Sequence, residues 1–330
     1  MLQFFADQID QLDLCLDQLA IRDRNFDRFA LMLVDNVVEL TLHQHAEDAA
    51  VVDKEWRSLG EPRHDAKILA DALGRDFRAK VRFARHSGLA SDEVATSVQH
   101  LHTFRNRVYH AGLRHETILH SLALFYFENA CLILSKYEPN VWSSGSRDQI
   151  SHRALKYLGK TNFMRSEESV KAAWIRLLEV GTSLGDTLLP DLCSDLAKIV
   201  DDVDEQIRFL SEDAPQATTR KQAVVESQIL RVAFTESGKA FASANQCPAK
   251  TVADYISWMV AHFECSAKDD PIPRWRKRLE NLRSETNRHS GFNKYCDFLT
   301  ETEGLRDAID ASAVELDRYI QLQIDIARGK

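Results

Sequence analysis

Apolar residues recur along most of this chain at intervals of three and four, the signature of amphipathic helices. The spacing predicts a first helix over about 2–21, with Ile9, Leu12, Leu16 and Leu19 on one face and aspartates on the other. A second begins near Asn25 or Asp27, either of which can cap it, and runs through Phe29, Met32, Leu33, Asn36, Val37 and Leu40 toward Trp56. Gly60 and Pro62 break it. A third, about 65–85, buries Ile68, Leu69, Ala72, Leu73, Phe77 and Val81. Ser91 then reads as an N-cap for a fourth helix with Val94, Val98, Leu101, Phe104 and Val108 on one stripe, stopped at Ala111-Gly112 by a left-handed glycine cap. A fifth, about 116–137, is apolar nearly all round, which marks it as central.

Residues 138–151 (EPNVWSSGSRDQIS) are rich in breakers and read as a domain boundary. Beyond it the helical pattern resumes over about 166–184, 191–210, a stretch through Val224, Leu230 and Phe234, then 251–264, 274–289 and 295–328. No run of alternating β-branched residues bounded by turns is found, nor a fixed-period repeat. The expected fold is therefore all-α: an N-terminal helix (1–24), a helical bundle (25–140) and a second all-helical domain (150–330).

Composition sharpens this only in places. With 330 residues, two domains are the natural division at roughly 100–200 residues each. Glycine (12) and proline (7) are sparse, which favours helix over sheet. The net charge of -8 opposes general attraction to nucleic acid, so any RNA contact must be local. Cys15, Cys131, Cys193, Cys247, Cys265 and Cys296 form no close pair and read as free thiols in a reducing compartment. The first twenty residues lack both a basic leader and a continuous apolar core. Neither a signal peptide nor a membrane partner is expected, and the cytoplasm is the expected location.

The chemistry concentrates in Arg105-Asn106-Arg107-Val108-Tyr109-His110-Ala111-Gly112. Arginine keeps its charge at all working pH values and can grip two phosphate oxygens. Histidine titrates near neutrality and can serve as base or acid. Residues five apart on an ideal helix are rotated by about 140°. Arg105 and His110 can therefore cooperate only where the helix is ending, or across a two-fold axis that joins two copies. No metal-ligand set of convincing spacing accompanies them: His262, Glu264 and Cys265 lack a second ligand pair.

An Arg-Asn-x-x-x-His-small-Gly run at a helix end, preceded by two helices and followed by a very apolar one, resembles a HEPN domain over about residues 25–140. The resemblance implies an up-and-down helical bundle and a composite ribonuclease site at a homodimer interface. It makes Arg105 the phosphate-binding arginine, Asn106 the polar residue beside it and His110 the proton-transfer group, with no cofactor and no metal. It also implies a polar or acidic residue on the first bundle helix, for which Asn36 or Glu39 is the candidate. The implied partners are RNA, a second copy, and an antitoxin or regulatory protein, since the family includes toxins and phage-defence nucleases as well as non-catalytic dimerisation, nucleotide-binding and adaptor modules.

Two basic clusters remain: Arg75, Arg78, Lys80, Arg82, Arg85 and His86; and Arg274, Trp275, Arg276, Lys277, Arg278, Arg283 and Arg288. A charged run with an interleaved aromatic can track a phosphate backbone, but neighbouring acids such as Glu280 and Glu285 favour a solvated helix face for the second.

Overall fold

A computed structural model of the chain describes residues 1–57, 63–111, 116–143, 148–159, 166–215 and 217–329, with the side chains of 57, 107–111, 116 and 166 outside that description. The described residues are helical with no strand, as the periodicity predicts. They form two compact units, Met1–Leu192 with Thr286–Asn293, and Cys193–Glu285 with Lys294–Lys330.

In the first unit, α1 (Leu2–Ile21) buries Phe5, Ile9, Leu12, Leu16 and Leu19 and stops at Arg22, whose left-handed backbone (φ 52°) returns its N–H to the Leu19 carbonyl. The spine is α2 (Arg24–Arg57), which packs on α1. Its 34 residues reach about 50 Å at 1.5 Å per residue. The side chain that caps it is Asp23, which accepts from the Asn25 N–H at 2.9 Å, rather than Asn25 or Asp27.

The expected single helix over 65–85 is instead two, α3 (Ala66–Ala72) and α4 (Phe77–His86). Periodicity runs through the break, but Asp76 turns its carboxylate onto the Arg78 N–H and starts a new helix, as Asp65 does for α3. The Ser91 hydroxyl accepts from Val94 N–H at 3.3 Å ahead of α5 (Asp92–Ala111). The expected glycine cap at Gly112 lies outside the described residues. A 3₁₀ turn (Glu116–Ile118) leads into α6 (Leu119–Lys136), which packs on α2 and is buried on nearly every side.

The breaker-rich segment does not divide the units. It is followed by α7 (His152–Leu158), which has no counterpart among the helices expected from periodicity, and α8 (Ser166–Ser183), both packed on α1. The physical reason is Asp13. Expected on the solvated side of α1, it is instead buried, and accepts from Arg153 (2.7 Å), Lys156 (2.9 Å) and Tyr157 (2.6 Å). Burial pushes its carboxyl up, but these three donors outweigh burial and hold it below the usual carboxylate range. A second tie runs from Gln149 N–H to Gln3 Oε1 at 2.6 Å. The boundary therefore falls after Leu192, within α9 (Leu188–Glu212), not at 138–151.

The second unit contains the rest of α9 with α10 (Arg220–Ala233), α11 (Glu236–Ala244), α12 (Val252–His262), α13 (Ile272–Arg283) and most of α14 (Arg288–Ala327). Ile229, Ala233, Ala242, Met259 and Cys265 form one core cluster. The fully buried Trp275 meets Phe298 edge-on with ring centres 5.4 Å apart.

One partly buried histidine should make the first unit sensitive to acid. His45 on α2 bonds Ser87 Oγ at 2.8 Å and lies against the rings of Phe83 and Tyr137. Burial, aided by repulsion from His64, lowers its pKa from 6.5 to about 4. The folded state thus takes up this proton less readily than the unfolded chain. Stability should be full above the unfolded value and decline as pH falls from 6.5 toward 4, by about 3 kcal/mol in all. Urea midpoints measured across that window should show the decline, and His45→Gln should remove this part of the slope.

Candidate active site

The fold brings the middle of α2 against α5. Asp35 of α2 is wholly buried at a position flanked by the apolar Leu31, Val38 and Leu42 of the same helix. A carboxylate there needs partners, since burying an uncompensated charge is costly. It has three. Tyr126 of α6, also fully buried, donates its hydroxyl to Asp35 Oδ1 at 2.8 Å. His102 of α5 places Nδ1 2.9 Å from the same oxygen. Arg105, one turn further along α5, brings Nε to 3.3 Å from Oδ2. That last pair is an ion pair without hydrogen-bond alignment, so Asp35 Oδ2 and Arg105 Nε are both buried and unbonded.

The guanidinium is only partly covered: the Arg105 side chain retains 30% of its exposure while Asp35 retains 1%. Its Nη1 donates to Asn106 Oδ1 at 2.8 Å. Two of the expected site residues therefore act on each other. His102 is fixed from two sides, by Asp35 and by the ring of Phe77 stacked at 3.8 Å with planes 6° apart. Because a carboxylate can only accept, Nδ1 is the donor in this pair, and in the neutral ring Nε2 is then the acceptor, the tautomer that a general base uses.

The chain matches no family model, no curated protein and no solved structure. The site must therefore be judged on its own chemistry. A fixed cation, an amide and a carboxylate-oriented imidazole lie within two turns of one helix, groups of the kind that can bind an anion and move a proton.

His110 belongs to the last turn of α5, and its side chain lies outside the described residues. Both candidates expected on α2 have other partners: Asn36 donates to Gln11 of α1 at 2.6 Å, and Glu39 pairs with the buried Lys80 of α4 at 3.2 Å. The α2 acid that reaches Arg105 is Asp35. The sequence signal for it was an acid at a core position of the α2 stripe. The signal for His102 was its i,i+3 relation to Arg105, which puts both on one face.

Several members of each basic cluster are already engaged with acids. In the first, Lys80 is buried on Glu39, Arg82 pairs with Asp71 and Arg85 with Asp92. In the second, Trp275 is fully buried and cannot stack on a base, while Arg276, Arg278 and Arg283 pair with Asp204, Glu301 and Glu280. Arg288 belongs to the first unit, where it pairs with Glu128 and Asp186. Among the described residues no helix is long and apolar enough to cross a membrane.

Proposed function

We propose that this chain is a metal-independent endoribonuclease of HEPN type, acting as a homodimer, in the role of a toxin or phage-defence effector in the cytoplasm. The observation that carries the reading is Arg105: a partly covered guanidinium on the fourth bundle helix, backed by a buried carboxylate from the first and flanked by Asn106.

In the reaction, the RNA 2′-hydroxyl loses its proton to an imidazole and its oxygen attacks the adjacent phosphorus. The P–O5′ bond breaks, and the 5′-oxygen leaves with a proton. The products are a 2′,3′-cyclic phosphate and a 5′-hydroxyl. His110 performs the proton transfer, Arg105 stabilises the charge gathering on the phosphoryl oxygens and Asn106 positions the phosphate. The second unit recognises the RNA, an activating signal, or an inhibitory partner such as an antitoxin.

The test is incubation of the purified chain with total RNA in EDTA, followed by end-group analysis. Cleavage leaving cyclic phosphate and 5′-hydroxyl ends supports the reading, and intact RNA over a wide range of protein concentration overturns it. A second reading, a non-catalytic dimerisation, nucleotide-binding or adaptor module, draws on the same ion pair. Asn106 already bonds one nitrogen of the guanidinium and Asp35 pairs with its charge, as they would in a purely structural network. Intact RNA together with saturable nucleotide binding lost in Arg105→Ala would favour it.

A further inference from the structure

The second unit ends in a helix with an uncovered seam. Along α14, Ala308, Ser312, Glu315, Tyr319, Leu322 and Ile326 follow one another at steps of four, three, four, three and four. That is the 3.5-residue period by which one helix presents a continuous stripe to another. The early part of the stripe lines a groove of about 530 Å³, whose opposite wall combines Leu210, Ala223 and the half-exposed Leu230 with the polar Glu226, Ser227 and Arg231. The later part is bare: Tyr319 is 46% exposed, Leu322 56% and Ile326 59%.

We infer that this seam is a homodimer contact, in which the 312–326 stretch of α14 packs antiparallel against the same stretch of a second copy. The charges select that occupant and that direction. Arg318 and Asp325 immediately precede Tyr319 and Ile326, so both lie on the same edge of the stripe. In a parallel pair they would not meet. In an antiparallel pair with Tyr319 opposite the second copy's Leu322, the register sets Arg318 beside the second copy's Asp325, and the two-fold axis repeats the contact. The stripe is thereby self-complementary in shape and in charge. The same register carries the second copy's Ile326 over Glu315, at the edge of the groove, where the wall around Leu230 can cover it. The Glu315–Arg318 ion pair within the helix (2.7 Å) gives Arg318 an intrahelical partner that the second copy's Asp325 shares or replaces.

The experiment is the mass of the full chain in solution, followed by sedimentation equilibrium over a range of concentrations, without RNA. The wild-type chain should be a dimer. Leu322→Glu places a charge in the seam at an exposed position and should leave a helical monomer by circular dichroism. Arg318→Asp sets like charges against each other twice and should weaken the dimer by roughly tenfold or more. Adding Asp325→Arg restores opposite charges and should recover the wild-type constant, an outcome that local helix stability alone does not produce. A monomeric wild type, a dimer indifferent to Leu322→Glu, or a double variant no stronger than the single would each overturn the inference. None of these outcomes depends on cleavage, so the ribonuclease reading is tested separately.

Discussion

His110→Ala should lower the rate of RNA cleavage by about 10²- to 10⁴-fold, the usual worth of a general acid–base group. Arg105→Ala should cost about 10²- to 10³-fold, as loss of a donor to developing charge generally does. Arg105→Lys should recover little of it, because an ammonium cannot reproduce the planar fork that reaches Asp35, Asn106 and a phosphate together. The pair also reports where the site is assembled. If Arg105 of one protomer works with His110 of the other, mixing the two inactive variants creates heterodimers with one intact site and one doubly impaired site. With random exchange the mixture should regain roughly a quarter of wild-type activity. If both groups act within one protomer, mixing restores nothing. His102→Asn adds a further control: a large loss there with His110→Ala unaffected would move the proton-transfer role back along α5, to the imidazole that Asp35 orients. Equal activity in wild type, Arg105→Ala and His110→Ala would eliminate the nuclease reading.

The sequence pattern is a good guide to this molecule wherever a helix needs only one apolar face. Helices α1, α5 and α6 fall where the periodicity puts them, and α2 is helical as far as Arg57, the last described residue before the expected break at Gly60 and Pro62. The misreadings have a common cause: a polar residue whose role is set by a neighbour that the apolar spacing does not reveal. Asp76 ends one helix and begins another because its carboxylate finds the Arg78 amide, while the apolar spacing through Leu73 and Phe77 continues undisturbed. Asp13 looks like a surface acid of α1, yet it gathers three donors from α7 and so joins residues beyond the breaker-rich segment to the first unit. Short helices such as α7 and α11 carry too few turns to show a period. At the candidate site Arg105 and Asn106 could be singled out because they adjoin in the chain. Asp35 and His102 left only weak signals, an acid on the α2 stripe and an i,i+3 spacing to Arg105, because their relation to each other exists only once α2 and α5 are packed.

Asp35→Ala should therefore be among the most damaging single substitutions in the first unit, at about 3–5 kcal/mol. The buried Tyr126 hydroxyl would lose its acceptor, His102 its orienting partner and Arg105 the negative charge behind it, all beside a new void. Removing one member of a buried network strands the rest, which costs more than the net value of any one contact. Asp35→Asn fills the same volume and can still accept from Tyr126, so it should cost less, about 1–3 kcal/mol. The same carboxylate recurs in kind along α2, where buried Asp27 meets His120 at 2.7 Å and buried Asp53 meets His64 at 2.8 Å. These pairs separate two explanations. If Asp35 matters only as one of three anchors for α2, Asp27→Asn should lower urea stability and leave any cleavage by the folded chain unchanged, and Asp35→Asn should do the same. If Asp35 also sets the guanidinium for phosphate, Asp35→Asn alone should depress cleavage at temperatures where both variants remain folded. Urea midpoints paired with cleavage rates decide between them, and an Asp35→Ala chain as stable as wild type would remove the physical basis for the site.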